Sequence, residues 1–354
     1  MIKILDIYIG RSIVSSTFFS ILVLTALSGL IRFVEQLRYI GRGTYTMAEA
    51  SLFVVYSIAR DIEVFFPMAA LLGGLLGLGA LATNSELIVM QAAGWSKLNI
   101  VKSAMKTTIL MVVLVLLIGE FVAPKLEVKA EQVRDDAIYG TGNSLQPKAM
   151  WLKDGNNFVF VGDGQQPEAL QQVTVYQFND AQKLQQVTYA QQAEYTADGW
   201  HLKQVNNTQL FAEHIVRFDT DEQSWSSKLT PDKLTVANAT PEAWSLTDLH
   251  DHLDYLAGNE QDPTRYQLAF WRKVFQPVTV AVMMLVALSF IFGPLRSTSM
   301  GARILMGVMT GFGFFIANRI FGPVVLVFNF PPVLGALIPS LVFTLVAMHY
   351  LKRR

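Results

Sequence analysis

Cysteine is absent from all 354 residues. That removes disulfides, thiol nucleophiles and every Cys-based metal site, and it says little about compartment. No GxxxxGK[ST] loop occurs, so the chain does not itself bind ATP in the P-loop manner. No GxSxG elbow and no HExxH pair is present, which removes two common hydrolytic arrangements. Histidines number 5, and the pair His250 and His252 in DLHDHLD diverges on a helix, which favours a solvated face over a metal site. Charge is also scarce: 16% of residues are Asp, Glu, Lys or Arg, against 52% hydrophobic, and long stretches near both ends carry almost none.

What fills those stretches is apolar sequence in runs of about 20 residues, long enough to cross a bilayer. Six spans are read: Ser12–Ile31, Phe53–Ala82, Ile100–Ala123, Leu268–Phe292, Ile304–Val327 and Val333–Tyr350. The first is too long for a cleavable signal, and no small-residue cleavage site follows it. The second contains Pro67, a potential kink, and Gly73 and Gly77 at GxxxG spacing; Gly307 and Gly311 repeat that spacing in the fifth. Such pairs suit packing inside one chain and packing against a partner equally. The spans are expected to lack a buried ladder of acids or histidines of the kind proton-coupled pumps need. Glu120 and Arg319, near span ends, can reach the interface.

Most of the Gln, Asn, Asp and Lys lies between 125 and 265. This insert reads as strands at Phe158–Val161, Val173–Phe178, Leu184–Tyr189 and His201–Val205. Turn signals stand at Asp154-Gly155, Asp163-Gly164, Asn179-Asp180 and Asp198-Gly199. The spacing predicts an antiparallel sandwich or roll. Helical flanks are expected at Glu127–Ile138 and Leu246–Leu256, the latter capped by Ser245 or Thr247. The chain therefore divides into 1–124, 125–265 and 266–354.

Basic residues orient it. A cytoplasmic N-terminus puts Lys3, Arg11, Lys97, Lys102, Lys106, Arg296, Arg303, Lys352, Arg353 and Arg354 on the cytoplasmic side. The insert then lies outside, as does the loop 32–52, whose Arg32, Arg38 and Arg42 go against the trend. On the cytoplasmic side, ELIVMQAAGWS (Glu86–Ser96) spells a short amphipathic helix with Gly94 as its stop. Leu87, Met90 and Gly94 share a face. Thr83-Asn84-Ser85-Glu86 fits a capping box. The helix either lies on lipid or docks into another protein.

Several strings carry a family resemblance: LDIYIGR, SGLIRFVEQL, FFPMAALLGGLLGLGALATNSELIVMQAAG, WLKDGNNFVFV, LTPDKL and RYQLAFWRKVFQPVTVAVMMLVALSFIFGPLRS. Together they span essentially the whole chain, which resembles the LptF/LptG family of lipopolysaccharide-export permeases. The resemblance implies an α-helical membrane protein with six transmembrane helices plus an inserted all-β periplasmic jellyroll-like domain. It implies a multi-pass place in the inner membrane and a role as permease subunit of an ABC transporter. Its partners would be the paralogous permease LptF, an LptB ATPase dimer, LptC, and LptA as the bridge to the outer membrane. This chain would hold no cofactor; ATP and Mg would sit on the ATPase. Lipopolysaccharide would be drawn from the outer leaflet and passed to the bridge, not flipped.

Within that resemblance, the coupling helix (84–94) would enter a groove on LptB. Glu86 would offer a carboxylate, Leu87 and Met90 would fill apolar space, and Gly94 would end the helix. Arg32, Arg38 and Arg42 would bind lipid phosphates, because guanidinium N–H pairs match two oxygens; interfacial snorkelling with Glu35 and Glu49 as ion-pair partners is the competing account. Acyl chains would meet Phe18, Leu22 and Leu30 of span one. They would then pass an apolar interior of the roll at Phe158, Phe160 and Val175, the two phenylalanines sharing a face by strand alternation. A closed, filled sandwich is the alternative for that interior. Other ABC permeases that act as mechanical transmitters, including lipoprotein-release types, place the large outer domain after span one, whereas here it follows span three. A membrane enzyme acting on lipid would need nucleophile or metal clusters at the outer interface, and none stands at convincing spacing.

Overall fold

The computed structural model describes residues 4–352 except 141–148, Pro167, Asp180, Ala197, Ala212, Lys228, 232–239, Glu260 and 294–297; the side chains of 163–166, 351 and 352 also lie outside it. Lys3, Arg296, Arg353 and Arg354 of the orientation argument fall outside the described residues, as do Asp180 and part of LTPDKL.

Two long helices begin the chain, α1 (Ile4–Leu37) and α2 (Met47–Thr83), followed by the short α3 (Glu86–Ala92). Next come α4 (Lys97–Leu117), a π turn (Ile118–Val122) and α5 (Ala123–Tyr139), which form one continuous rod. Six strands follow, then α6 (Leu246–Gly258), α7 (Thr264–Phe292), α8 (Met300–Val327) and α9 (Pro332–Lys352). Among the described residues, six helices are long and apolar enough to cross a membrane, the α4–α5 rod counting as one.

Thr46 starts α2 with a capping box in which Glu49 accepts from its backbone N–H. Glu49 is thereby placed as a helix cap and not as an arginine partner. α2 and α7 form the centre of the bundle. Leu71, Leu75 and Leu78 of α2 are fully buried with Met283, Met284, Ala287 and Leu288 of α7. Both GxxxG pairs pack within the chain. A Cβ added at Gly73 would stand 2.0 Å from Thr17 Oγ1, and one at Gly77 would stand 2.7 Å from the Ser12 carbonyl oxygen. The same atom at Gly307 would stand 2.6 Å from Leu75, and at Gly311 3.4 Å from Leu71. Ser12 also donates to the Gly77 carbonyl at 3.0 Å.

The strands are β1 (Met150–Asp154), β2 (Asn157–Gln166), β3 (Ala169–Phe178), β4 (Leu184–Thr196), β5 (Gly199–Leu210) and β6 (Ile215–Trp225). They pair antiparallel in sequential order, β1 to β6. One expected turn is corrected: Asp163-Gly164 lies inside β2, opposite Gln171 and Leu170, with a register shift between Gly164 and Gln166. Hydrogen bonding to β3 carries the strand through a dipeptide that favours turns in isolation.

A single sheet cannot bury a face without a second layer. Here the buried cluster holds inward residues of β2 to β6 with Leu229, and Met150, Leu152 and Tyr255 pack against it, so the sheet folds over on itself. The closure has a visible hinge row. Val175 and Val173 point inward on β3, and then Leu170 does; Asn207 and Val205 do so on β5, and then Leu202 and Trp200. Alternation slips by one residue at Gln172 and Gln204, which hold φ of 54° and 52°. Asn207 pairs with Phe218 in register, yet its amide donates to Gln223 at 2.9 Å, five residues further along β6. On a flat sheet that offset would be about 16 Å. The fold-over brings them together.

The interior is filled where it is described: Val159, Val161, Val173 and Val175 are 0–1% exposed. Phe158 and Phe160 do not line it. They share a face, as alternation requires, but it is the outer one. There Trp151 packs tilted against Phe160 at 5.1 Å and Tyr176 at 5.5 Å, and Phe158 meets Phe178 edge-on at 5.6 Å. Register sets Val159, not Phe158, opposite Val175.

α6 ties this domain to the bundle. Ser245 caps it with Asp248, as one of the two expected residues. Thr247 instead donates to Glu120, whose carboxylate also accepts the Leu246 and Thr247 N–H groups at 2.7 and 3.2 Å. Glu120 thus leaves the interface to hold a helix N-terminus. Tyr255 of α6 donates to the Lys153 carbonyl at 2.7 Å. Burial pushes its phenol up to about 12, and the Asp154 carboxylate adds to the rise.

Two outcomes follow. Gly77→Val sets side-chain atoms against the Ser12 backbone, which cannot rotate away, so α1 is expected to detach from α2 and expose sites along it to proteolysis. Asn207→Ala removes the acceptor of the buried Thr188 hydroxyl, 2.8 Å away, and the amide donor to Gln223. It is expected to cost about 1–3 kcal/mol, read as a lower melting temperature of the β-domain.

Candidate functional site

At the sheet end of the bundle, three guanidinium groups converge on one ring. Arg38, Arg42 and Arg134 stand 4.8, 5.3 and 6.0 Å from the Tyr39 centroid. Arg38 also donates to the Tyr39 hydroxyl at 2.8 Å. The loop carrying them is pinned to the end of α5: the Thr44 N–H donates to the Ala137 carbonyl at 2.7 Å. A Cβ at Gly43 would stand 2.4 Å from the Ile138 oxygen, and φ there is 54°, so glycine is required on both counts. Arg134 was not among the sequence candidates. It lies in an ordinary amphipathic helix, 95 positions from Tyr39, and no local signal marks the meeting.

Arg32 stands apart from this cluster. Its Nε and Nη2 both donate to Asp61 Oδ1, at 3.1 and 2.8 Å, and its Nη1 is 4.0 Å from Glu127. Arg60 pairs with the same Glu127 at 2.6 Å, and Lys273 of α7 pairs with Glu63 at 3.2 Å. Asp61, Glu63 and Glu127 are all buried. The expectation is of no buried ladder of acids or histidines; buried acids do occur, two on α2, one on α5, and Asp6 on α1 paired with Lys106 at 2.9 Å. Each is matched by a cation from another element, which is how charge persists in apolar surroundings. Below them, Phe18, Leu22 and Leu30 of α1 are 67%, 50% and 63% exposed, an apolar wall open along the helix. Arg319 instead sits 6.0 Å over the Phe315 ring.

At the opposite end, α3 has an inward and an outward face. Leu87 and Met90 are 4% and 7% exposed and belong to the chain's own core. They are not available to fill a partner's groove, which corrects that expectation. The helix packs beside the end of α2, with Ile291 and Phe292 of α7 close to Leu87, and its inward positions are claimed there. Ile88 and Val89 are the outward apolar residues, 54% and 66% exposed. The capping box is also corrected. Ser85 is the N-cap, in the left-handed region at φ 61°, without a side-chain cap. Thr83 points back to the Gly79 carbonyl. Glu86 is held instead by the Tyr8 hydroxyl at 2.7 Å and by Asn84 at 3.3 Å. Gly94 ends the segment at φ 93°, with open space around it. Between α3 and the end of α7 lies a pocket of about 80 Å³ lined by Leu87, Ile88, Gln91, Lys97 and Phe292.

Among the described residues no group of three or more His, Asp or Glu could hold a metal ion. His252 packs among Trp244 and Tyr266, at 4.7 and 4.4 Å, in an aromatic cluster and not on a solvated face. His250 is the exposed one of the pair.

The architecture defines a class: a multi-pass membrane protein with an antiparallel β-domain inserted between its third and fourth spans. The sequence profile described as lipopolysaccharide export system permease LptF/LptG matches residues 7–353, and the chain belongs to that family. Within the family the similarity runs to LptG. The lipopolysaccharide export system permease protein LptG of Escherichia coli strain K12 is 44% identical over 354 residues, covering 99% of this chain and 98% of the relative. Its counterpart in Haemophilus influenzae is 43% identical over 357 residues, covering 100% and 99%.

The two faces of α3 separate by stability. Leu87→Ala is expected to destabilise the purified protein by about 2–5 kcal/mol, as for a buried leucine. Val89→Ala should stay within about 0.5 kcal/mol. Thermal unfolding in detergent reads both, and equal effects would contradict this assignment of faces.

Proposed function

We propose that this chain is the permease subunit of an ABC transporter in the inner membrane, drawing lipopolysaccharide from the outer leaflet into a periplasmic β-jellyroll bridge. The paralogous permease LptF stands beside it, and LptC and LptA continue the bridge. ATP hydrolysis, with its Mg, belongs to an LptB dimer beneath. The β-domain is then periplasmic and α3 cytoplasmic. The observation that carries the reading is the stacking of the Arg38–Arg42–Arg134 cluster above the exposed apolar wall of α1. A lipid with phosphates at headgroup level and acyl chains below matches that order. Paired guanidinium donors suit phosphate oxygens.

In this reading Arg38, Arg42 and Arg134 meet phosphate, and Arg32 joins only by sharing or leaving Asp61. Phe18, Leu22 and Leu30 meet acyl chains. Val175 lies where a chain would enter the β-domain, provided the filled interior opens; Phe158 and Phe160 would meet lipid only on the outer face. At the other end Ile88 and Val89 offer the apolar contact to the ATPase, with Glu86 at the edge and Gly94 closing the helix. Leu87 and Met90 carry force inward to α2 and α7. A permease that only transmits force to an outer domain, for another lipid or a lipoprotein, is the competing reading.

Co-purification with an ATPase, a paralogous six-span chain and lipopolysaccharide supports the proposal; an assembled complex free of lipopolysaccharide and inert towards it removes it. The double variant Arg38→Gln, Arg134→Gln is expected to lower lipopolysaccharide retention by about tenfold or more, since each charged hydrogen bond contributes about 1.5–3 kcal/mol. Assembly with the ATPase should persist. Arg32→Gln should instead lower stability by about 3–5 kcal/mol, because Asp61 is left buried without its cation. Unchanged retention in the double variant would assign these arginines to anchoring alone.

A further inference from the structure

The first turn of α8 carries a cation that no role above uses. Arg303 is 2% exposed. Its Nη1 donates to the Gly79 carbonyl oxygen at 2.6 Å and to Thr83 Oγ1 at 2.7 Å. Thr83 in turn donates to the Gly79 carbonyl at 2.9 Å, closing a triangle on the last turn of α2. The carbonyl end of a helix attracts a cation, because its last C=O groups lack intrahelical partners. Glycine suits position 79: a Cβ there would stand 3.3 Å from Arg303 Cδ and Nη1.

The place of this triangle in the chain matters as much as its chemistry. Thr83 is the last residue of α2, and α3 begins at Glu86. The buried face of α8 begins with Arg303 and continues through Gly307, Gly311 and Phe314. Gly307 and Gly311 allow close approach to α2, where Leu75 and Leu71 lie over them, but they offer it no side-chain hydrogen bond. The Arg303 hydrogen bonds are directional and sit where α3 joins α2. We propose that Arg303 is a positioning residue for transport: it locks the start of α8 to the α2–α3 junction, so that displacement of α3 moves α8 with it. This rests on the reading of α3 as the contact to an ATPase. Arg303 touches neither nucleotide nor lipid in that scheme.

The test uses the assembled complex with its ATPase and paralogous permease, in nanodiscs loaded with lipopolysaccharide. ATP hydrolysed and lipopolysaccharide released to a soluble acceptor are measured in the same sample. Arg303→Met keeps the apolar stem and removes the donors; Arg303→Lys keeps the charge and can restore one bond. Lipid released per ATP is expected to fall about tenfold in Arg303→Met, the factor corresponding to one charge-assisted hydrogen bond, with partial recovery in Arg303→Lys. A merely structural role would lower hydrolysis and release in proportion and leave their ratio unchanged; that result overturns the proposal. Should Arg303→Met not assemble, Thr83→Val decides, since it removes one corner of the triangle at nearly constant volume. A ratio equal to that of the unaltered complex in Thr83→Val overturns the proposal equally. Unaltered complexes that hydrolyse ATP and release no lipopolysaccharide would instead count against the transport reading itself.

Discussion

Close backbone approach on α2 is the constraint on which the rest of the molecule depends. Between helices in lipid there is little hydrophobic drive, since acyl tails are as apolar as leucine; association rests on packing and on hydrogen bonds. α2 meets that demand on three sides. α1 lies on Gly73 and Gly77, α7 on Gly74, and α8 meets it at Gly79 with Arg303 and through its own Gly307 and Gly311. Larger residues at these positions would push the neighbours outward and open the core that Leu71, Leu75 and Leu78 fill.

The second organising interaction is electrostatic. Asp61 and Glu63 are two positions apart on α2 and reach different partners, Arg32 of α1 and Lys273 of α7. Glu127 links Arg60 of α2 to the rod that leads into the β-domain. Removing one member of such a pair strands a buried charge, whereas the intact pair is close to neutral in energy. These contacts therefore specify which helix lies beside which more than they add stability. They also separate Arg32, held by an acid of another helix, from the arginines around Tyr39, of which Arg134 pairs with its chain neighbour Asp135 at 3.1 Å.

The β-domain meets a different demand. Among the described residues it has one sheet and no second layer, so the strands must bend together to bury a face. The bend needs a slip in alternation at matching positions across the sheet, and Gln172 of β3 and Gln204 of β5, on either side of β4, supply it. Glutamine is an ordinary residue at an uncommon φ, so nothing local in the sequence marks the row. The strand alternation around Phe158 and Phe160 was legible; which face turned inward was not, because that choice belongs to the fold-over. The same limit explains Asp163-Gly164, a turn dipeptide drawn into a strand by its pairing with β3.

Length, composition and local periodicity were enough for the six apolar helices, the inserted β-domain and the short helix after α2, and the resemblance of long strings along the chain was enough for the family. Tertiary structure decided what long-range contact alone can settle. It turned Leu87 and Met90 inward and left Ile88 and Val89 outside. It gave Arg32 an acid partner from another helix, and it brought Arg134 to Tyr39. It also carried Arg303 to the end of α2, across 224 positions of chain from Gly79. A side chain's neighbours depend on how helices pack, and local periodicity names only the face it occupies.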